Sequence, residues 1–395
     1  MKTDQIVRQY LWLTGIFNFG VSMSLATYVA FLISRGLNLF EVNLVNVAFF
    51  ATMFLCEIPT GAFADTFGRK RSYVISCFLF SIGEIVYSQA TGMAGFLLAE
   101  ILAGVGRTFA NGAYHAWLVD TLRHHGFQGS TKPVFRKEQM VRQFVSIPGA
   151  IIGSYVGSYD LSYPWLLGGV IGIASGTLAL ISMKEEYFVK RKARVLESVK
   201  EMLATAKKGI AMSGRSAPLR FLLVISMSIS FSVQALNMQW QPFFGEGVRT
   251  AHFGYIWAGI SLAIFLGMHY SLRFSERFGS EKVALVSCCV LSGLGMVAAA
   301  LAKDYVALSL AIFLLHEIPR GAYVPLKEAF LNDSIEDRER ATIISCQSAF
   351  THLACLSGLF LSGVVANQAS IGTAWIMSGV VVAIVPLLAL RLKPV

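Results

Sequence analysis

Gly61-Ala-Phe-Ala-Asp65-Thr-Phe-Gly68-Arg69-Lys70-Arg71 joins two apolar runs, 42–64 and 73–90. Each run approaches the roughly 20 residues that a helix needs to cross a bilayer. The glycines Gly61 and Gly68 permit a tight turn and the close approach of a neighbouring helix. Asp65 can accept hydrogen bonds at a helix N-terminus, where exposed N–H groups and the helix dipole favour an anion. Arg69, Lys70 and Arg71 set three positive charges beside the second run. A short basic connection between two such runs implies a chain that crosses the membrane more than once.

The pattern continues in both directions. Apolar spans fall near 10–33, 42–64, 73–90, 94–119, 139–159, 163–183, 219–244, 252–272, 282–302, 305–331, 342–366 and 371–390, twelve in all. Hydrophobic residues make up 55% of the chain and charged residues 14%, against about a quarter charged in a soluble domain. Mean hydropathy is +0.61. The 35 glycines suit close helix contacts in lipid.

The net charge of +10 raises nucleic acid as a partner, but the basic residues sort by membrane side. Arg35, Arg249 and Lys303 fall on one side, and Arg107, Arg320 and Lys327 lie inside spans. The rest of the 33 Lys and Arg residues collect at the termini, in the loops after spans 2, 4, 8 and 10, and in the central linker. That asymmetry follows the positive-inside rule and places both termini in the cytoplasm. The basic balance therefore reports orientation, and no nucleic-acid partner is expected. The six cysteines lie within apolar spans without metal-ligand spacing and read as structural thiols. No metal and no cofactor is expected. The first apolar run is too long for a cleavable signal peptide and is expected to be retained.

A polar stretch divides the chain into an N-terminal six-helix bundle (1–183), a basic cytoplasmic linker (184–218) and a C-terminal six-helix bundle (219–395). The linker reads either as a helix lying on the anionic leaflet or as a solvated tether. Its Gly209–Ser216 segment mimics a phosphate-binding loop with Arg215 for Lys, but no strand precedes it, so ATP-driven transport is not expected. The halves resemble each other. Arg107 precedes Asp120 by the same interval as Arg320 precedes Asp333, and Asp65-Thr-Phe-Gly68 matches Glu276-Arg-Phe-Gly279. Two matches in register favour duplication, an arrangement of transporters whose site lies between repeats at mid-membrane.

The 61–71 stretch resembles the major facilitator signature G-x-x-x-D-x-x-G-[RK]-[RK], in the loop where that family carries it. The resemblance covers essentially the whole chain and implies an all-α integral membrane fold: twelve transmembrane helices in two bundles related by a pseudo-two-fold axis. It further implies that Asp65 meets the start of span 11 and that Arg69, followed by Lys70, pairs with an acid ending span 4, here Asp120. These residues form a candidate cytoplasmic latch favouring the outward-open state. In the second half Ser280 and Glu281 replace the basic pair, leaving a degraded copy in which Arg277, Arg338 or Arg340 could pair with Asp333 or Glu276.

An ionisable residue inside a span is costly and marks a functional hypothesis. The family architecture sets spans 1, 4, 7 and 10 around a central cavity. Substrate-binding candidates on them are Asn18, Arg107, Asn111, Tyr114, Gln234, Asn237, Gln241, Arg320, Tyr323 and Lys327. Spacings of seven, four and three put Glu100, Arg107, Asn111 and Tyr114 near one helical face. Arg107 and Arg320 suit carboxylate or phosphate anchoring. The alternative is internal salt bridges, Arg107 with Glu100 and Arg320 with Glu317. Glu100 and Glu317 are candidate proton carriers, with His115 and His316 as alternatives.

Many drug/proton antiporters of the family carry an Arg four residues before a Gly-x-Gly in span 4. Here Glu100 holds that position before Gly104-Val-Gly106, so export is less firmly implied than transport. The reading is a secondary transporter, proton-coupled and exporting a small polar, charged or amphipathic molecule, with a nutrient importer as the alternative. A lipid flippase and a non-transporting receptor rank lower. No enzyme motif with identifiable partners is present. The expected partners are a small-molecule substrate, protons and the lipid bilayer. The chain is expected to act as a monomer in a bacterial cytoplasmic (inner) membrane.

Overall fold

The computed structural model describes residues 3–188, 216–334 and 340–391. Most of the expected linker, 189–215, lies outside them. The described residues form helices and no strand: α1 (Thr3–Leu25), α2 (Tyr28–Ser34), α3 (Leu39–Phe67), α4 (Arg69–Gln89), α5 (Met93–Ala110), α6 (Ala113–His124), α7 (Lys132–Gly157) and α8 (Tyr163–Ser182). After the linker come α9 (Ala217–Gly245), a 3-10 turn (Thr250–His252), α10 (Phe253–Phe278), α11 (Glu281–Leu301), α12 (Val306–Ser334), α13 (Arg340–Gln368) and α14 (Ile371–Ala389). Proline opens α7, α8 and α9, where its missing N–H is not needed. The Ser370 hydroxyl accepts the Thr373 N–H at 3.0 Å and caps α14.

Every apolar span read from the sequence falls on a described helix or broken helix. Eight are long and apolar enough to cross a membrane, and α1 with α2, bent by 45°, makes a ninth. The other three, α4, α7 and α12, have 21, 26 and 29 residues and carry charges. The expected continuous span 4 is broken. Gly112, at φ +72°, separates α5 from α6, because an L-residue with a Cβ resists that conformation. The apolar pattern runs through this break, so the sequence reading carries one helix across it.

By contacts the chain separates into two compact units. Described residues of the first are 3–36, 48–188 and 249–257; those of the second are 37–47, 216–248, 258–334 and 340–391. In the first, α1 packs against α7 and α8, and α4 against α5 and α8. In the second, α9 packs against α13 and α14, and α11 against α12 and α14. The tightest crossings use glycine. A Cβ built on Gly153 of α7 would stand 1.9 Å from the Met23 carbonyl oxygen of α1. One built on Gly358 of α13 would stand 2.1 Å from the Phe231 carbonyl oxygen of α9. These crossings are driven by backbone packing, since lipid offers no hydrophobic incentive for helices to associate.

Candidate functional site

In the first unit the charged residues converge on a carboxylate that the sequence reading passes over. Glu138, near the start of α7, has only 1% of its side chain exposed. Its Oε1 accepts from Arg142 Nε at 2.8 Å and contacts Arg142 Nη2 at 2.6 Å. The Tyr10 hydroxyl of α1 donates to Oε2, and His115 Nε2 of α6 lies 3.0 Å from the same oxygen. Arg142 Nη1 also donates to Asn18 Oδ1 at 3.1 Å. His115 and Arg142 are 48% and 27% exposed, so the buried carboxylate reaches water through both partners. A buried anion needs such compensation, because loss of hydration must be offset by charge and hydrogen bonds.

Arg107 lies within electrostatic reach of Arg142, Tyr73 and Glu138. It is half-buried on α5, and no hydrogen bond or ion pair joins its guanidinium to a described residue. The site therefore offers a guanidinium without a described partner, within electrostatic reach of a carboxylate already shared by three donors. Chemically it can hold an anion at Arg107 and a cation or proton at Glu138.

The other candidates separate. Glu100 accepts from the Tyr28 and Tyr87 hydroxyls at 2.6 and 2.9 Å on one oxygen, and Trp165 stacks on Tyr87 with centroids 4.0 Å apart. An Arg107–Glu100 salt bridge does not form. The helical face expected to unite Glu100, Arg107, Asn111 and Tyr114 is cut at Gly112. Asn111 ends α5, its N–H bonded to the Arg107 and Thr108 carbonyls. Tyr114 belongs to the aromatic core: it stacks on Tyr73 at 3.8 Å and donates to the Tyr10 carbonyl at 2.7 Å.

In the second unit Arg320 takes the salt-bridge alternative. Its Nη1 donates to Glu317 Oε1 and Oε2 at 2.8 and 2.9 Å, and His316 Nε2 lies 3.7 Å from Oε1. Tyr323 shares a hydrogen bond with Ser226 at 3.0 Å. Lys327 pairs with Glu328 at 2.9 Å. Gln234 donates to the Ser230 carbonyl and to Cys355 Sγ, Gln241 is buried, and Asn237 is exposed.

At the 61–71 loop, Arg69 forms an ion pair with Asp120. The expected anion at a helix N-terminus is present, but it is Glu185, which follows α8. Its Oε1 accepts the Arg69 N–H at 2.7 Å and its Oε2 the Lys70 N–H at 3.1 Å. Asp65 lies instead inside α3, exposed, and pairs with no described residue. Residues 335–339, and the side chain of Arg340, lie outside the described part, so the span 11 partner is not described. Gly68, at φ +105°, leaves room that a Cβ would fill at 2.7 Å from Glu185 Oε2. Beyond its own helical turn, no described atom lies within 4 Å of a Cβ built on Gly61. Glu276 and Asp333 are exposed and unpaired among the described residues.

Removing this clasp with Glu185→Ala is expected to lower stability by about 1 kcal/mol, the usual worth of a helix cap. Glu185→Gln, which keeps one acceptor, should lose less. Thermal melting of the purified variants measures both.

A family model described as Major Facilitator Superfamily matches residues 11–315 and 255–395. The uncharacterized MFS-type transporter YxaM of Bacillus subtilis (strain 168) is 22% identical over 341 residues, covering 86% of this chain and 82% of YxaM. Multidrug resistance protein 2 of the same organism is 25% identical over 158 residues, 39% of this chain and 38% of that protein. Among solved structures, the nucleoside transporter NupG superposes with a TM-score of 0.75 at 15% identity, covering 100% of both chains. A D-xylose-proton symporter gives 0.73 at 13% identity, covering 98% of each. The structural likenesses carry the fold.

Proposed function

The chain belongs to the Major Facilitator Superfamily of membrane transporters, and from that premise we propose that it is a proton-coupled exporter of a small zwitterionic or amphipathic molecule. The observation that carries this reading is the half-buried Arg107 guanidinium, without a described partner, within electrostatic reach of the Glu138 carboxylate. The partial similarity to Multidrug resistance protein 2 supports export.

The sign of coupling follows from which group competes for which partner. A substrate anion seats on Arg107 by charge-assisted hydrogen bonds, and a substrate ammonium takes a Glu138 oxygen in exchange for His115. A proton arriving on Glu138 removes the charge that holds the ammonium, so proton and substrate bind in turn, as antiport requires. A purely anionic substrate reverses the sense: protonating Glu138 frees Arg142 to join Arg107 on the anion, so proton and substrate bind together. That second reading is import by symport, and the likeness of fold to a D-xylose-proton symporter keeps it in view. Either way the ligand must bind the two access states unequally to drive the conformational exchange.

The test is a thermal-stability screen of purified protein against amino acids, organic anions, siderophores and cationic drugs at acidic and alkaline pH. A zwitterion should stabilise wild type more at alkaline than at acidic pH. Arg107→Ala should bind it at least about tenfold more weakly, the effect of losing a charge-assisted hydrogen bond. Arg320→Ala should keep the ligand response from a lower starting temperature, because it strands buried Glu317. Ligands that stabilise wild type and Arg107→Ala equally would remove Arg107 from the site. Stronger stabilisation by anions at acidic pH would replace export with symport.

A further inference from the structure

The first unit carries a polar pocket of about 430 Å³, lined by Phe31, Ser34 and Arg35 at the end of α2, residues 157–161 from the last residue of α7 onward, and Thr250. Its size falls in the range of small-ligand sites. Three features of its wall concern charge. The Arg35 guanidinium lies over the Phe31 ring, 5.2 Å from the centroid, and makes no hydrogen bond or ion pair to a described residue. Asp160 is fixed by the Ser162 N–H and hydroxyl, at 2.8 and 2.7 Å, both on Oδ1, which leaves Oδ2 free of these bonds. The same donors hold the Asp160 carboxyl below its usual range, and Arg35 adds to the effect. The two charges thus feel each other across the pocket but do not close into an ion pair.

The location points to lipid. Arg35 is one of three basic residues that the sequence sets opposite the basic loops, and Arg249, a second of the three, precedes pocket-lining Thr250. Tyr155, Tyr159 and Tyr163 are exposed beside the pocket, and Ile152, Leu166, Leu167 and Val170 are exposed farther along the same two helices. Exposed tyrosines above exposed aliphatics mark the headgroup level of a bilayer.

We propose that this pocket binds the headgroup of a zwitterionic aminophospholipid, with Arg35 holding the phosphate and Asp160 the ammonium. Guanidinium forks onto phosphate oxygens, and the free Asp160 oxygen suits an ammonium that still carries N–H donors. Phosphatidylethanolamine satisfies both contacts. Phosphatidylcholine keeps the phosphate without an N–H, and phosphatidylglycerol keeps the phosphate without an ammonium.

The experiment measures lipid retention by native mass spectrometry, and melting in nanodiscs, for full-length protein with each of the three lipids. Wild type should retain phosphatidylethanolamine at least about tenfold more strongly than phosphatidylcholine, the scale of a charged hydrogen bond. Asp160→Asn should erase that preference. Independently, Arg35→Gln should weaken phosphatidylethanolamine and phosphatidylglycerol alike. Soluble O-phosphoethanolamine in detergent should give no comparable gain in melting temperature; an equal gain would overturn the lipid assignment in favour of an aqueous zwitterion. Equal retention of all three lipids by wild type, or a preference that survives both substitutions, would also overturn it.

Discussion

Glu138→Gln is expected to abolish proton-driven transport while leaving a folded protein. The glutamine carbonyl oxygen can still accept from Arg142 in the place of Oε1, while the amide nitrogen, in the place of Oε2, donates to the Tyr10 hydroxyl or the His115 ring nitrogen, so the network keeps its shape without its titratable charge. In the exchange described above, Glu138 is where proton and substrate ammonium compete, and an amide offers neither. Gradient-driven accumulation should fall to the protein-free level, and ligand stabilisation in the variant should no longer change with pH. Asn18→Ala, which removes the 3.1 Å contact to Arg142 and a bond to the Thr14 carbonyl but leaves Glu138 its own donors, should reduce transport far less. A Glu138→Gln variant that accumulates substrate normally would remove Glu138 from coupling.

Gly153→Ala is the substitution expected to destabilise the fold most. A methyl group there would meet the Met23 carbonyl oxygen at 1.9 Å, which no rotamer change can relieve because the obstacle is backbone. Overpacking costs about 1–3 kcal/mol, and this contact belongs at the upper end. The melting temperature should drop well below that of Gly92→Ala, where a Cβ meets nothing within 4 Å. Equal melting of the two would mean that α1 and α7 cross less closely than described.

The helical fold was legible because its signals are local. Apolar run lengths need no knowledge of the packing, and the 61–71 loop pointed to the Arg69–Asp120 pair through its motif. The site was less legible. Glu138 precedes the apolar run drawn from 139 and follows Arg136 and Lys137, so by sequence it reads as a loop charge. Only the packing of α1 and α6 over the start of α7 buries it. Glu185 was hidden for a related reason: it reads as one of several linker acids, and nothing local shows that it reaches the Arg69 N–H, 116 residues away. The break at Gly112 was missed because periodicity continues through it, although a glycine next to an asparagine carries a weak turn signal. Arg107 and Arg320 look equivalent in the sequence repeat. Their surroundings differ because Glu317 stands three residues before Arg320, on the same helical face, whereas Glu100 is claimed by two tyrosines.

The most direct test of the account is accumulation of a defined panel of zwitterions and organic anions by proteoliposomes containing the purified chain. The lumen is made acidic, and the contents are read by mass spectrometry. Uptake of a zwitterion above the protein-free level, collapsed by nigericin and absent with Glu138→Gln, is the result the account predicts. Accumulation only when the lumen is alkaline, or uptake that ignores the gradient, would contradict it.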